Sequence, residues 1–281
     1  MPPRRRRDLA VTVTTKEGLV VEGLRKRYGD HTAVDDVSFT LAPGSSLAIV
    51  GESGSGKTTT VRMLVGLERP DGGTVRLDGR DRSALPRGRA ERLARAREIQ
   101  MVFQDPYLSL DPRITVSGCL DEVLRLHSPL DAPARRTRVT ELLDQVGLGA
   151  REAEALPRGL SGGQRQRVAI ARALAVEPRV LVLDEAVAAL DVSIQAQIVE
   201  LLRSIREESG VGYLFVTHDL AVVRHIADEV LVLKSGAVVE SGPADRVLGE
   251  PRHAYTRLLL DSVPRRGRRP GGDMTEAHLP G

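Results

Sequence analysis

The segment Gly51-Glu52-Ser53-Gly54-Ser55-Gly56-Lys57-Thr58 constrains this chain more than any other feature. It fits the spacing G-x-x-x-x-G-K-[ST] and stands between an apolar run, Leu47 to Val50, and a helical stretch, Thr58 to Leu67, that stops before Pro70. Strand, glycine turn and helix in that order are what a phosphate-binding loop requires. The glycines let backbone N–H groups turn inward, and the helix starting near Lys57 adds the positive end of its dipole. In such a loop Lys57 reaches the β- and γ-phosphates and the Thr58 hydroxyl ligates Mg²⁺. Gly51, Ser53, Gly54, Ser55, Gly56 and Thr59 complete the expected nucleotide-binding set.

The rest of the chain agrees with an α/β domain. Short strand-like runs, Thr74 to Leu77, Val180 to Leu183, Leu214 to Val216 and Val230 to Leu233, alternate with helical stretches and are bounded by Gly, Asp or Pro, the pattern of a largely parallel sheet. Between about Pro106 and Leu160 the sequence turns rich in Arg, Leu and Glu. There Val139, Leu142, Leu143 and Val146 recur at helical spacing within Ala134 to Val146, so this part reads as a helical insertion. With 281 residues, 41% of them hydrophobic, a sizeable core is expected.

Composition narrows the function. Three Phe, four Tyr and no Trp argue against a single-strand nucleic-acid platform built on stacking. No apolar run approaches the roughly 18 residues that span a bilayer, and Arg4 to Arg7 precede polar residues in place of a signal core, so a cytoplasmic location is expected. The lone Cys119 excludes an internal disulfide or a CxxC metal site. Net charge is +3, but Arg4 to Arg7 and Arg265, Arg266, Arg268 and Arg269 hold eight of the 41 basic residues, leaving 33 against 38 acids in the remainder. The body is therefore mildly acidic, and the basic segments at 1–17 and 263–281 read as flexible tails.

Two further motifs carry chemistry. The run Val180-Leu181-Val182-Leu183 implies a buried central strand, and it ends in Asp184-Glu185, where ligands sit in open α/β sheets. Asp184 is expected to hold Mg²⁺ through water and Glu185 to orient and polarise an attacking water. The string Leu160-Ser161-Gly162-Gly163-Gln164-Arg165-Gln166-Arg167 opens a helix with Val168, Ala171, Leu174 and Ala175 at helical spacing, so Ser161, Gly162 and Gly163 offer a second anion site at a helix N-terminus. One phosphate loop already serves one nucleotide. The second site thus implies either another phosphate ligand or the nucleotide of a partner chain.

Taken together these motifs resemble the ATP-binding subunit of an ABC transporter, over nearly all of residues 18–262. The resemblance implies a P-loop NTPase with a mostly parallel core sheet, an N-terminal antiparallel β part and a helical subdomain inserted at about 106–165. It implies a head-to-tail pair of subunits around two ATP molecules. Leu160 to Gln164 matches the family signature that completes the opposite subunit's ATP site. Gln104, in Met101-Val102-Phe103-Gln104-Asp105-Pro106, matches the glutamine that senses Mg²⁺ and links core to subdomain. Ala189-Leu190-Asp191 matches the loop contacting across the dimer, His218 the switch histidine on the γ-phosphate, and Tyr28 the aromatic that stacks on adenine. Ala186-Val187-Ala188 stands where the family has Pro-Thr-Ser.

Finer resemblance points to the oligopeptide/dipeptide uptake group, which also serves nickel and glutathione importers. It rests on Phe103 to Arg113, Asp191-Val192-Ser193-Ile194-Gln195-Ala196-Gln197 and Pro251-Arg252-His253-Ala254-Tyr255-Thr256-Arg257-Leu258-Leu259, with Ala254 where that group has Pro. The implied partners are a second ATPase subunit (itself or a paralogue), integral permease subunits and, indirectly, an extracytoplasmic solute-binding protein, at the cytoplasmic face of the membrane. An accessory ABC ATPase of phosphonate breakdown and a nucleic-acid-associated ABC ATPase stay as alternatives; no specific nucleic acid is expected.

Overall fold

The structure, a computed structural model, describes residues 18–188 and 190–262; the two basic segments and Ala189 lie outside the described residues. The strands, in chain order, are β1 (Leu19–Tyr28), β2 (His31–Leu41), β3 (Ser46–Val50), β4 (Gly72–Leu77), β5 (Arg80–Asp81), β6 (Ile99–Val102), β7 (Val180–Asp184), β8 (Gly212–Thr217), β9 (Glu229–Lys234) and β10 (Ala237–Pro243). The helices are α1 (Lys57–Leu64), α2 (Gly88–Glu98), α3 (Val116–His127), α4 (Ala132–Gln145), α5 (Ala150–Ala153), α6 (Gly162–Leu174), α7 (Val192–Ser209), α8 (Leu220–Ile226), α9 (Ala244–Gly249) and α10 (Ala254–Asp261).

Two sheets form. One is antiparallel, in the order β2-β1-β4-β5; the other runs β10-β9-β3-β8-β7-β6, parallel except for β10 at its edge. The parallel strands are apolar because both of their faces are covered, and the alternation of side chains decides which face each residue serves. Ala48, Val50, Leu181, Leu183, Tyr213 and Phe215 join a core with α6, α7 and α8. Their neighbours Leu47, Ile49, Val180, Val182, Leu214 and Val216 face the opposite way, onto Val61 and Leu64 of α1 and Leu19, Val21 and Leu24 of β1. The antiparallel sheet and the helices thus sandwich the parallel sheet.

Between β6 and β7 the chain is helical, α3 to α6, and Val139, Leu142, Leu143 and Val146 are buried in the shared core. The first helix is shorter than its sequence suggests. It ends at Leu64, since Val65 is its C-cap and Gly66 follows at φ 76°, so the stretch to Leu67 is a left-handed exit in place of another turn. The α/β class expected from the sequence, with a parallel core sheet, an antiparallel β part and an inserted helical part, is the fold observed.

Candidate functional site

In a parallel sheet all strands end on one side, and four adjacent strands here deliver the candidate residues to that side. β3 ends at Val50 before the phosphate loop, β8 at Thr217 before His218, β7 at Asp184 before Glu185, and β6 at Val102, two residues before Gln104. The register sets Val50 beside Thr217, Asp184 beside Val216 and Val102 beside Leu183.

The phosphate loop has the backbone that its glycines allow. Gly56, the residue before α1, lies at φ 104°, and a Cβ on it would stand 2.4 Å from the carbonyl oxygen of Ala33. A Cβ on Gly51 would stand 2.3 Å from that of Leu233. No side chain replaces either glycine without moving main chain. Because α1 starts at Lys57, the N–H groups of its first turn, at Lys57, Thr58 and Thr59, have no acceptor within the helix. Lys57 is 7% exposed and its ammonium donates to the carbonyls of Gly51 (2.7 Å) and Glu52 (2.8 Å). Burial lowers its pKa, while Glu185, Asp184 and Glu52 pull the other way. Ser55 Oγ is buried and has no hydrogen-bond partner, which leaves a polar atom waiting inside the loop.

Asp184 and Glu185 leave the strand end in different directions because Glu185 takes φ 48°, a left-handed conformation that costs a side-chain-bearing residue energy. Its N–H is held by Val216 O at 2.8 Å. The Glu185 carboxylate meets His218 Nδ1 at 3.1 Å, so β7 and β8 join an acid to an imidazole at the sheet's edge. Burial and, next, the Glu185 charge raise the carboxyl of Asp184. Gln104, in the exposed loop after β6, is followed by Asp105, whose side chain accepts from Tyr107 N–H at 2.9 Å.

Tyr28, at the end of β1, is 44% exposed with the Lys26 ammonium 5.4 Å from its ring centroid. Its hydroxyl is raised in pKa by burial, then by hydrogen bonding to Glu68, with Thr59 of α1 acting in the opposite sense. Tyr28 thus stands beside the helix that carries the phosphate loop.

The residues from 160 onward gather at the start of α6. Ser161 caps α6: its hydroxyl accepts from Gln164 N–H (3.2 Å) while Gln164 Oε1 accepts from Ser161 N–H (2.9 Å), a reciprocal capping box. Gln164 also reaches Glu152 of α5 at 3.4 Å. Gly163 is pressed against α7, since a Cβ there would lie 2.7 Å from Ile194 Cγ2. Arg165 stacks over the Tyr107 ring, 4.4 Å from its centroid, joining this helix start to the loop after Gln104. Asp191, exposed, sits at the start of α7 with no capping bond from its side chain. One contact has no local signal in the sequence: the Tyr255 hydroxyl of α10 accepts from Glu52 N–H of the phosphate loop at 3.0 Å.

A glycine loop ahead of a helix, with an acidic strand end and a histidine on neighbouring parallel strands, defines a nucleotide-binding α/β domain of the phosphate-loop class. Comparison with known proteins gives the family. Residues 34–188 match the ABC transporter family and 239–277 the C-terminal region of oligopeptide/dipeptide transporters. The chain is 48% identical over 258 residues to the oligopeptide transport ATP-binding protein OppD of Mycobacterium tuberculosis, covering 92% of this chain and 41% of that protein. It is 49% identical over 233 residues to a putative peptide import ATP-binding protein of Brucella abortus, covering 83% and 70%. Among solved structures, cbiO1 of Clostridium perfringens, part of an ABC transporter complex, superposes with a TM-score of 0.76 at 30% identity over 84% of this chain and 92% of that one. The ATP-binding cassette MJ0796, solved as a dimer with ADP and inorganic phosphate, gives 0.71 at 31% over 80% and 98%. The chain belongs to the ABC transporter family. It spans 41% of the length of OppD.

Proposed function

We propose that the chain hydrolyses ATP, with Mg²⁺, to power import of peptides or related small solutes through a membrane permease. The observation that carries the chemistry is the phosphate loop set beside the Glu185–His218 pair at the ends of adjacent parallel strands. The residues fit the ligands. Free N–H groups at the start of α1, the buried and unpartnered Ser55 Oγ and the buried Lys57 ammonium suit a triphosphate. Thr58, Asp184 and Gln104 supply the oxygens that a small, hard cation prefers, and Mg²⁺ there would offset phosphate charge. Tyr28 offers its ring to the adenine.

In this reading Lys57 turns from the loop carbonyls to the phosphates. Glu185 accepts a proton from the attacking water as its oxygen bonds to the γ-phosphorus and the bond to ADP breaks. His218, held at Nδ1 by Glu185, has Nε2 left for the γ-phosphate. Ser161, Gly162, Gly163 and Gln164, at the start of α6, serve the ATP of a second subunit, with Asp191 at the contact between the two. Residues 18–262 act as the nucleotide-binding unit, and the helical part at 106–165, through Gln104, passes closing and opening to the permease. In this reading attachment is through that partner, at the cytoplasmic face, with a solute-binding protein acting on the far side; among the described residues no helix is long and apolar enough to cross a membrane.

The match of 239–277 to oligopeptide/dipeptide transporters, and the import relatives, support this reading over phosphonate breakdown or nucleic-acid binding. Glu185→Gln tests it. The variant is expected to bind ATP but to lose turnover by about 10² to 10⁴, because the amide cannot accept the proton. ATPase activity near that of the unaltered protein would remove Glu185 from this role.

A further inference from the structure

The C-terminal part of the chain grips the phosphate loop at two points. The turn between β9 and β10 donates Gly236 N–H to Ser55 O at 3.0 Å, and the Tyr255 hydroxyl accepts from Glu52 N–H at 3.0 Å. The second contact holds a particular peptide unit. Glu52 N–H and Gly51 C=O belong to the same peptide, and that carbonyl is one of the two oxygens that the Lys57 ammonium holds. Tyr255 therefore fixes one end of the peptide whose other end fixes Lys57.

Tyr255 is itself held in place. It is 4% exposed, and the Lys234 ammonium lies 4.8 Å from its ring centroid. The α10 start that carries it is tied back to β10: the Glu240 carboxylate accepts from Arg252 N–H (2.8 Å) and His253 N–H (3.1 Å), and His253 Nδ1 accepts from Tyr255 N–H (3.1 Å). Glu240 and Tyr255 both fall in the stretch matched to the oligopeptide/dipeptide transporter C-terminal region.

We infer that Tyr255 is a positioning residue for nucleotide binding: its hydroxyl orients the Gly51–Glu52 peptide and so sets where the Lys57 ammonium rests before the triphosphate arrives. The C-terminal region thereby becomes a strut of the ATP site. Without the hydroxyl, the half-buried Glu52 N–H loses its partner and the Gly51–Glu52 peptide is held only through its carbonyl, so the loop is less preorganised for phosphate. Chemistry, which lies with other groups, is left alone. The inference rests on the phosphate loop being the ATP site.

Tyr255→Phe removes the hydroxyl and keeps the ring under Lys234. The expected result is a KM and an ATP Kd raised about three- to tenfold, with kcat within about twofold. A residue that mattered only for folding would not split KM from kcat in this way. Hydrogen exchange gives a direct second reading: the Glu52 amide should exchange about tenfold faster in the variant, with that of Ile49 in β3 unchanged. Leu258→Ser, on the exposed side of α10, should alter none of these. Unchanged KM and unchanged Glu52 exchange in Tyr255→Phe would overturn the inference, as would an equal rise in KM from Leu258→Ser. Lys57→Ala separates the two levels. If it loses ATP binding while Tyr255→Phe matches the unaltered protein, only the strut fails; if Lys57→Ala binds ATP as before, the loop is not the ATP site and both readings fall.

Discussion

Burial raises the carboxyl of Asp184, the Glu185 charge adds to the shift, and Lys57 and Arg62 oppose it. The sign of the effect on stability follows from linkage. A carboxyl with a raised folded-state pKa binds its proton more tightly in the folded than in the unfolded chain. Its contribution is thus full below the ordinary 3.8 and is lost as pH rises through the raised value, so that at neutral pH the ionised Asp184 burdens the nucleotide-free fold. Asp184→Asn is therefore expected to melt at a higher temperature than the unaltered protein at pH 7, without nucleotide, with the gap closing as pH falls toward 3.8. The same variant should lose Mg²⁺-dependent ATPase activity. Calorimetry across that pH range checks the first claim; an Asp184→Asn protein less stable at pH 7 would show that the carboxylate has net favourable partners. Lys57 has the mirror-image conflict, its pKa lowered by burial, and the two charges offset each other only in part.

Among the elements, α6 and α7 meet closely at a candidate functional residue, Gly163. Gly163→Ala places a methyl 2.7 Å from Ile194 Cγ2, so the Ile194 side chain or one of the two helices must move. Overpacking of this kind costs about 1–3 kcal/mol. Ile194→Ala opens the space, and the double variant should recover at least about 0.5 kcal/mol relative to additive behaviour, measurable by denaturant unfolding. Strict additivity would mean that α6 and α7 adjust elsewhere. What the sequence disclosed about elements follows the same logic of packing. The strands β3, β7, β8 and β9 were legible because burial on both faces demands unbroken apolar runs. By contrast β1 and β2 escaped the strand reading, since irregular register between Val21 and Leu24, and again around Lys26, breaks the alternation that marks a half-buried strand. Gly66 was a visible stop signal for α1, but the apolar Val65 and Leu67 beside it prolonged the helical pattern. The phosphate loop, the acidic strand end and His218 were legible as local strings. The Tyr255 contact was not, because 203 residues separate it from Glu52 and no local pattern marks a hydroxyl that caps a distant peptide.

On the scale of the whole molecule, two glycine-bearing helix starts, one at Lys57 and one at Ser161, in a chain with one phosphate loop set the largest expectation, that each ATP site is shared between two chains. Mixing two damaged proteins tests this. Lys57→Ala removes the ammonium from the phosphate loop. Ser161→Arg puts a bulky cation at the start of α6 and also removes an N-cap worth about 1 kcal/mol, so circular dichroism must first show that α6 persists. Each variant alone has every site defective, whether the signature acts within its own chain or across to a partner. Mixed dimers tell these cases apart. If sites are shared, one site of the mixed dimer combines both damaged halves, while the other joins the intact loop of the Ser161→Arg chain to the intact Ser161 of the Lys57→Ala chain. With free exchange, half the dimers are mixed and half their sites intact, so roughly a quarter of the original ATPase activity should return on mixing, provided one intact site can turn over. If the signature acts within its own chain, every site in every dimer stays broken and nothing returns. Differential tags show whether mixed dimers formed: their presence without activity argues against shared sites or against turnover at a single one, and their absence points to a paralogous ATPase as the obligatory partner.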